Sequence, residues 1–132
     1  HRPRTELPEF LSKLKQTVTE LARVGVQPVL MTLPPIDGAR YLDYICRGGL
    51  SRDSIMRWLG DVGCIYRYQE LYSDTVASFA MREGLPLIDV RRRFLPQRDL
   101  PELISADGIH LTMPGYRQLF DTLAQWVVPQ LA

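Results

Sequence analysis

Pro28-Val29-Leu30-Met31-Thr32-Leu33-Pro34-Pro35 is a short apolar run that two prolines close. Continuous apolar runs of this length are typical of strands buried on both faces of a parallel sheet. Proline lacks the N–H that a strand ladder needs, so the strand is expected to stop there. The stretch Pro86-Leu87-Ile88-Asp89-Val90 has the same character and predicts a second buried strand.

Helical patterns surround these two runs. Apolar residues at three- and four-residue spacing predict an amphipathic helix over residues 7–22, which Gly25 ends. The middle of the chain is mostly helical, with a short helix over 51–60 and a longer one over 65–84. Pro114 opens the last helix. The apolar face of that helix comprises Leu119, Leu123, Trp126 and Val127.

This order of helix, strand, helices, strand, loop and helix is that of the second half of an open parallel sheet. We therefore predict an α/β fold, a flavodoxin-like doubly wound parallel sheet, of which residues 1–132 hold the last two strands and the C-terminal helices. Two strands alone leave a sheet edge without a partner. The expected partner is the N-terminal half of the same domain or a second copy of the chain.

Composition excludes several classes of function. Sixteen Lys and Arg against fifteen Asp and Glu give a net charge of +1, which argues against a nucleic-acid partner. No apolar stretch is long enough to predict a membrane span. Cys46 and Cys64 are far apart and have no histidine nearby, so we expect buried free thiols and no metal site. A small neutral molecule is the expected ligand.

Asp107-Gly108-Ile109-His110 places the only internal histidine three residues after an acid, in a loop before the last helix. A serine hydroxyl is a poor nucleophile until a base takes its proton, and neutral imidazole is suited to that step near neutral pH. Asp107 could accept a hydrogen bond from one ring nitrogen and fix the tautomer. In isolation, an Asp-x-x-His sequence is usually a turn in which the acid caps the following residues.

The segment Asp107-Gly108-Ile109-His110-Leu111-Thr112, followed by Gly115-Tyr116, resembles the C-terminal signature of the SGNH (GDSL-type) hydrolases. The two apolar runs resemble the last two strands of that family, so the resemblance extends over essentially the whole chain. It implies a serine esterase or acyl hydrolase that acts on a small-molecule ester and needs no metal or organic cofactor. It also implies that His110 is the catalytic base and that Asp107 orients it.

Three motifs of that family are absent from the chain. These are the Gly-Asp-Ser of the nucleophile, the glycine that donates to the oxyanion, and the Gly-x-Asn-Asp that supplies an asparagine, a residue type this chain lacks altogether. The nucleophile is therefore expected upstream of His1, and the isolated chain is predicted to be inactive. Since the chain opens with His1 and not Met, it looks cut or processed, and its sequence leaves the cellular compartment open.

Two other classes of function stay open on the sequence. One is a non-catalytic α/β half-domain that binds a partner through its free sheet edge. The other is a metal-dependent phosphohydrolase, which is disfavoured because His110 has no second internal histidine with which to share a metal. Asp89 is expected to be a structural carboxylate, and residues 91–93, three arginines, are expected to be a solvated charge run.

Overall fold

A computed structural model of the protein describes residues 5–132. In that range the chain is mixed α/β and mostly helical. The elements, in chain order, are α1 (Leu7–Arg23), β1 (Leu30–Met31), α2 (Gly38–Arg47), α3 (Arg52–Leu59), α4 (Gly63–Glu83), β2 (Leu87–Ile88), α5 (Val90–Phe94), α6 (Leu100–Leu103) and α7 (Met113–Val127). A 3₁₀ turn over Val128–Leu131 follows α7.

The two strands form a parallel pair, as their apolar runs predicted. Leu30 lies opposite Leu87 and Met31 opposite Ile88. The ladder is shorter than the predicted strands over residues 28–33 and 86–90, although Thr32 still donates its backbone N–H to the Ile88 carbonyl at 3.1 Å. The prediction that β2 reaches Val90 is wrong, because β2 ends at Ile88. Helix α5 begins at Val90, and Asp89 caps it.

One edge of β1 has no neighbouring strand among residues 5–132. The backbone N–H groups of Leu30 and Thr32 both donate toward β2. Because successive peptide groups of a strand point to opposite sides, those of Met31 point away from β2. β2 likewise has no second neighbouring strand in this part of the chain.

One buried apolar cluster of the core lies between the two-strand sheet and the C-terminal helices. Its buried centre consists of Ile88, Val90, Phe94 and Leu103. Three of the four predicted apolar residues of α7, Leu119, Leu123 and Trp126, pack against this centre. The fourth, Val127, is 40% exposed and lies outside this cluster.

The predicted ends of the middle helices are confirmed. The Ser51 side chain accepts a hydrogen bond from the Ser54 backbone and caps α3, which stops at Gly60. Helix α4 stops at Gly84, which adopts a left-handed conformation. Helix α2 lies in the middle region expected to be helical, but its bounds were not predicted. The Asp37 carboxylate caps it by accepting from the Arg40 backbone.

Arg91 overturns the expectation of a solvated arginine run. Its side chain is buried and forms an ion pair with Glu70, while Nη1 donates to the Leu33 carbonyl at 3.2 Å and to the Gln69 side chain at 2.7 Å. The guanidinium carbon also lies 5.1 Å from the centre of the Tyr66 ring. Arg92 and Arg93 are exposed, so the expectation holds for these two alone.

Two smaller expectations concern thiols and membranes. Cys46 and Cys64 are free, but both are only partly buried and not fully buried as predicted. None of the helices within residues 5–132 combines the length and the apolar character needed to cross a bilayer.

Candidate active site

The loop between α6 and α7 is closed on itself by backbone hydrogen bonds. Ile104 and Leu111 form an isolated antiparallel bridge at its base. Ser105 donates its backbone N–H to the His110 carbonyl at 2.9 Å, and Thr112 donates to the Leu103 carbonyl at 3.0 Å. Both ends of the loop that carries Asp107 and His110 are therefore fixed.

Asp107 lies at the centre of this loop and uses its two oxygens differently. Oδ1 accepts from the backbone N–H groups of Ile109 and His110, each at 3.0 Å, and from the Ser105 hydroxyl. Oδ2 lies 2.6 Å from Nδ1 of His110. The predicted contact between the two side chains is thus present, and the carboxylate is held in place by three further donors.

These contacts determine the charge of Asp107. The Ser105 hydroxyl and then the His110 side chain, together with the two backbone N–H groups, hold the pKa of the Asp107 carboxyl well below its usual range. Hydrogen bonds to the ionised form favour that form. Asp107 is therefore a carboxylate at any pH near neutrality, and it can only accept a hydrogen bond from the histidine.

His110 is consequently held in one tautomer when its ring is neutral. Nδ1 carries the proton and donates a hydrogen bond to Asp107, and Nε2 keeps a free lone pair. The histidine side chain is 66% exposed, against 20% for Asp107. Within residues 5–132 no side chain or backbone group bonds to Nε2. The ring thus presents an oriented, accessible base.

Gly108 packs the loop against the start of α2. Its φ is +81°, and a Cβ at this position would lie 2.4 Å from both the Asp37 carbonyl oxygen and the Tyr41 nitrogen. The Gly108 carbonyl accepts from the backbone N–H of Asp37 at 2.8 Å. Asp37 follows the carboxyl end of β1 by six residues. The loop that carries Asp107 and His110 is therefore hydrogen-bonded to the segment that follows the carboxyl end of β1.

Gly115 and Thr112 explain the rest of the sequence pattern. Thr112 caps α7 by accepting from the Gly115 N–H at 3.2 Å, and its hydroxyl donates to the Glu102 carbonyl at 2.7 Å. A Cβ on Gly115 would lie only 2.2 Å from the Leu103 carbonyl oxygen. The start of α7 is therefore packed directly on α6, at the base of the loop.

Two residues that support the site were not identified from the sequence. Ser105 donates to Asp107, and its position two residues before the acid is a local signal for such a contact. Arg40 donates through Nη1 to the carbonyls of Pro101 and Ile104, both at 2.7 Å. It links α2 to the segment before the loop across more than sixty residues of sequence, which leaves no local signal.

Three of the serines have structural roles. Ser105 donates to Asp107, Ser73 is buried and accepts from the Leu33 N–H at 3.1 Å, and Ser51 caps α3. None of the serines, all of which lie within residues 5–132, bonds to Nε2 of His110. Asp89 accepts from the Thr32 hydroxyl at 2.9 Å and caps α5, which confirms its structural role.

Residues 5–132 bring no three His, Cys, Asp or Glu side chains together in a way that would hold a metal ion. Comparison with known protein families and with curated proteins found no match to this chain. What the site can do is therefore argued from its geometry and charges.

Proposed function

We propose that this chain supplies the base and the orienting carboxylate of an SGNH-type serine esterase or acyl hydrolase. The observation that carries the proposal is the 2.6 Å contact between Asp107 Oδ2 and His110 Nδ1. It sits in a loop that leaves Nε2 accessible, and the sequence of that loop resembles the family signature. The substrate is a small-molecule ester.

In the proposed reaction His110 Nε2 takes the proton of a serine hydroxyl as its oxygen attacks the ester carbonyl. The proton then passes from Nε2 to the departing alkoxide, which leaves as the alcohol, and an acyl-serine remains. Water hydrolyses the acyl-serine by the same two transfers. Asp107 remains ionised throughout and stabilises the imidazolium that forms twice per turnover. No metal or organic cofactor takes part.

The nucleophile in this proposal lies outside residues 1–132. It is supplied by the N-terminal half of the same domain. The free edge of β1 supports this, because unpaired N–H and C=O groups along a strand are a template for another strand. With that addition the fold would be a flavodoxin-like doubly wound sheet, with the base loop at the carboxyl ends of its strands.

An exposed apolar surface on α7 also supports the proposal that a further segment of protein packs against this chain. Helix α7 carries apolar residues on the side away from the core, where Met113 is 76%, Tyr116 49% and Phe120 68% exposed. These residues are spaced by three and four positions and form one stripe. The stripe begins three residues after His110, so a segment that covered it would also lie beside the base.

The test uses the complete translation product that contains these residues. We expect it to hydrolyse p-nitrophenyl acetate and to be labelled by a fluorophosphonate, which reacts with activated serines. His110→Ala should lower kcat/KM by at least about 10²-fold, because a positioned base contributes roughly 10²–10⁴-fold. Asp107→Asn should also lower it strongly, since the wrong tautomer would be favoured. Asp99→Asn is the matched control, because Asp99 caps α6 without a side-chain hydrogen bond.

The alternative function is a non-catalytic half-domain that binds a partner through the free edge of β1. It predicts no fluorophosphonate labelling and equal background hydrolysis in the wild-type protein and His110→Ala. That pair of results would remove the hydrolase proposal. Labelling that depends on His110 would remove the alternative.

A further inference from the structure

An apolar groove lies between α2, α3 and α4. Its volume is about 610 Å³, which lies within the range of small-molecule sites. The lining is mostly aliphatic and aromatic and includes Tyr41, Ile45, Ile55, Trp58, Ile65 and Tyr68. Trp58 and Tyr68 are 49% and 43% exposed, so large apolar surfaces face solvent there.

The groove begins next to the base loop. Tyr41 lines it, and the backbone nitrogen of the same residue is one of the three atoms that a Cβ on Gly108 would meet. Helix α2 therefore has the base loop against its first turn and the groove along its side. A molecule whose reacting carbonyl lay at His110 could extend one substituent into the groove past Tyr41.

The lining also restricts the chemistry of the ligand. It contains no acidic, basic or histidine side chain. Its hydroxyls belong to Tyr41, Ser51, Ser54 and Tyr68. The two serine oxygens accept hydrogen bonds, from the Ser54 backbone at 3.3 Å and from Arg57 at 3.3 Å. A carboxylate or phosphate would lose its hydration without gaining a basic partner. A hydrocarbon chain would gain from burial.

A second cavity, about 480 Å³ in volume, is lined by residues of β2, α5 and α7. Asp89, Arg92 and Arg93 contribute to its lining. Its charged groups do not suit an apolar ligand, and none of its lining residues contacts Gly108 in the way Tyr41 does. The groove between α2, α3 and α4 is therefore the better candidate for a hydrophobic substituent.

We infer that this groove binds the hydrocarbon acyl chain of the ester, so that the enzyme prefers medium-chain acyl esters to acetyl esters. The inference rests on the proposed function, because it takes the ester carbonyl to lie at His110. The occupant is a neutral chain of several methylenes.

Binding can be measured without turnover on the complete protein that carries His110→Ala. The chain contains two tryptophans, Trp58 in the groove and Trp126 against the core. Their indole N–H signals in a ¹H–¹⁵N spectrum form an internal comparison. Methyl octanoate should shift the Trp58 signal in a saturable way and leave that of Trp126 in place. Methyl acetate at equal concentration should shift neither.

Ser54→Phe tests the location, because it adds bulk to a lining residue of α3. It should weaken the binding of methyl octanoate at least about ten-fold, since roughly two methylenes or more would be excluded from the groove. Asp53→Phe is the matched control, since it adds the same ring to the neighbouring residue, which lies outside the lining. The dispersion of the spectra reports whether each variant is folded.

In the complete protein Ser54→Phe should raise KM for p-nitrophenyl octanoate, and Asp53→Phe should leave kcat/KM for the acetate ester unchanged. Absence of a Trp58 shift, equal loss in Asp53→Phe, or an unchanged octanoate KM in Ser54→Phe would overturn the groove assignment. The groove assignment would also be overturned if the Trp58 signal shifted with protein concentration in the absence of ligand. That result would indicate that a second copy of the chain fills the groove.

The two proposals fail separately. If hydrolysis of the acetate ester depends on His110 but the groove assignment fails, the hydrolase proposal still stands. Saturable octanoate binding at Trp58, with hydrolysis that is unaffected by His110→Ala, would mean that the groove is real but the catalytic role is not. The acyl-chain inference would then be withdrawn along with the function on which it rests.

Discussion

The carbonyl oxygen of Gly108 accepts a hydrogen bond from the backbone N–H of Asp37 at 2.8 Å. These residues are seventy-one positions apart by their numbers, 108 and 37. Gly108 directly follows Asp107, and Asp37 caps α2, the first helix after β1. This contact sets the position of His110 relative to the sheet, and it depends on the absence of a side chain at residue 108.

Gly108→Ala is expected to destabilise the protein more than a positive φ alone would. The new Cβ would meet two backbone atoms at 2.4 Å, so α2 and the loop must move apart. We expect a loss of unfolding free energy of about 1–3 kcal/mol beyond the backbone strain. Gly60→Ala is the matched control, because Gly60 has the same φ of +81° with nothing within 4 Å. Equal losses in chemical denaturation would contradict the packing argument.

The Asp107 carboxylate should make the stability of the chain depend on acid. Because its pKa is lowered in the folded state, its stabilisation is fully present above the unfolded pKa of about 3.9 and is lost as pH falls below that value toward the folded pKa. The difference in unfolding free energy between the wild-type chain and Asp107→Asn should be constant above about pH 5 and should shrink below about pH 4. A difference that does not change on acidification would contradict the lowered pKa.

Ser105→Ala should raise the pKa of Asp107 toward its usual value. The Ser105 hydroxyl is the largest cause of the lowering, so its removal should have more effect than any other single change outside His110. Carbon-13 NMR titration of the Asp107 carboxyl carbon measures this directly. Ser12→Ala, on the exposed face of α1, is the control and should leave the titration unchanged.

The isolated 132-residue chain should not hydrolyse p-nitrophenyl acetate above the rate of free imidazole at equal concentration. None of its serines contacts Nε2 of His110, and a base without a nucleophile contributes little. Stopped assays at several protein concentrations measure the rate. Turnover that is lost in His110→Ala would mean that the chain contains its own nucleophile.

Arg91→Ala should destabilise the chain by about 1–3 kcal/mol, because the Leu33 carbonyl and the Gln69 side chain lose a buried donor. The matched change Arg92→Ala, at an exposed position, should lie within about 0.5 kcal/mol of the wild-type value. Thermal and urea unfolding of the two variants give the comparison. Similar values would mean that the buried guanidinium makes no net contribution.

Arg91 also illustrates which features the sequence could not predict. Three consecutive arginines have no local pattern that distinguishes the first from the others. Its partners, Leu33, Gln69 and Glu70, come from distant parts of the chain. The two strands, the stops at Gly60 and Gly84, and the contact of Asp107 with His110 were predictable, because each depends on neighbouring residues or on a single physical requirement.

The bounds of α2 could have been predicted from one more local feature. Asp37 stands three residues before Arg40, whose backbone N–H it accepts, and this is the usual spacing of an N-terminal cap. The preceding prolines favoured a loop and hid that signal. Arg40 itself was beyond prediction, since its acceptors at Pro101 and Ile104 belong to another part of the chain.

The bridge between Ile104 and Leu111 has a consequence for the order of assembly. All the hydrogen bonds that orient Asp107 and His110 toward one another come from residues 103–112. The acid and base can therefore reach their working arrangement before any other polypeptide docks. In the proposed hydrolase, an incoming serine would meet a proton acceptor that is already oriented.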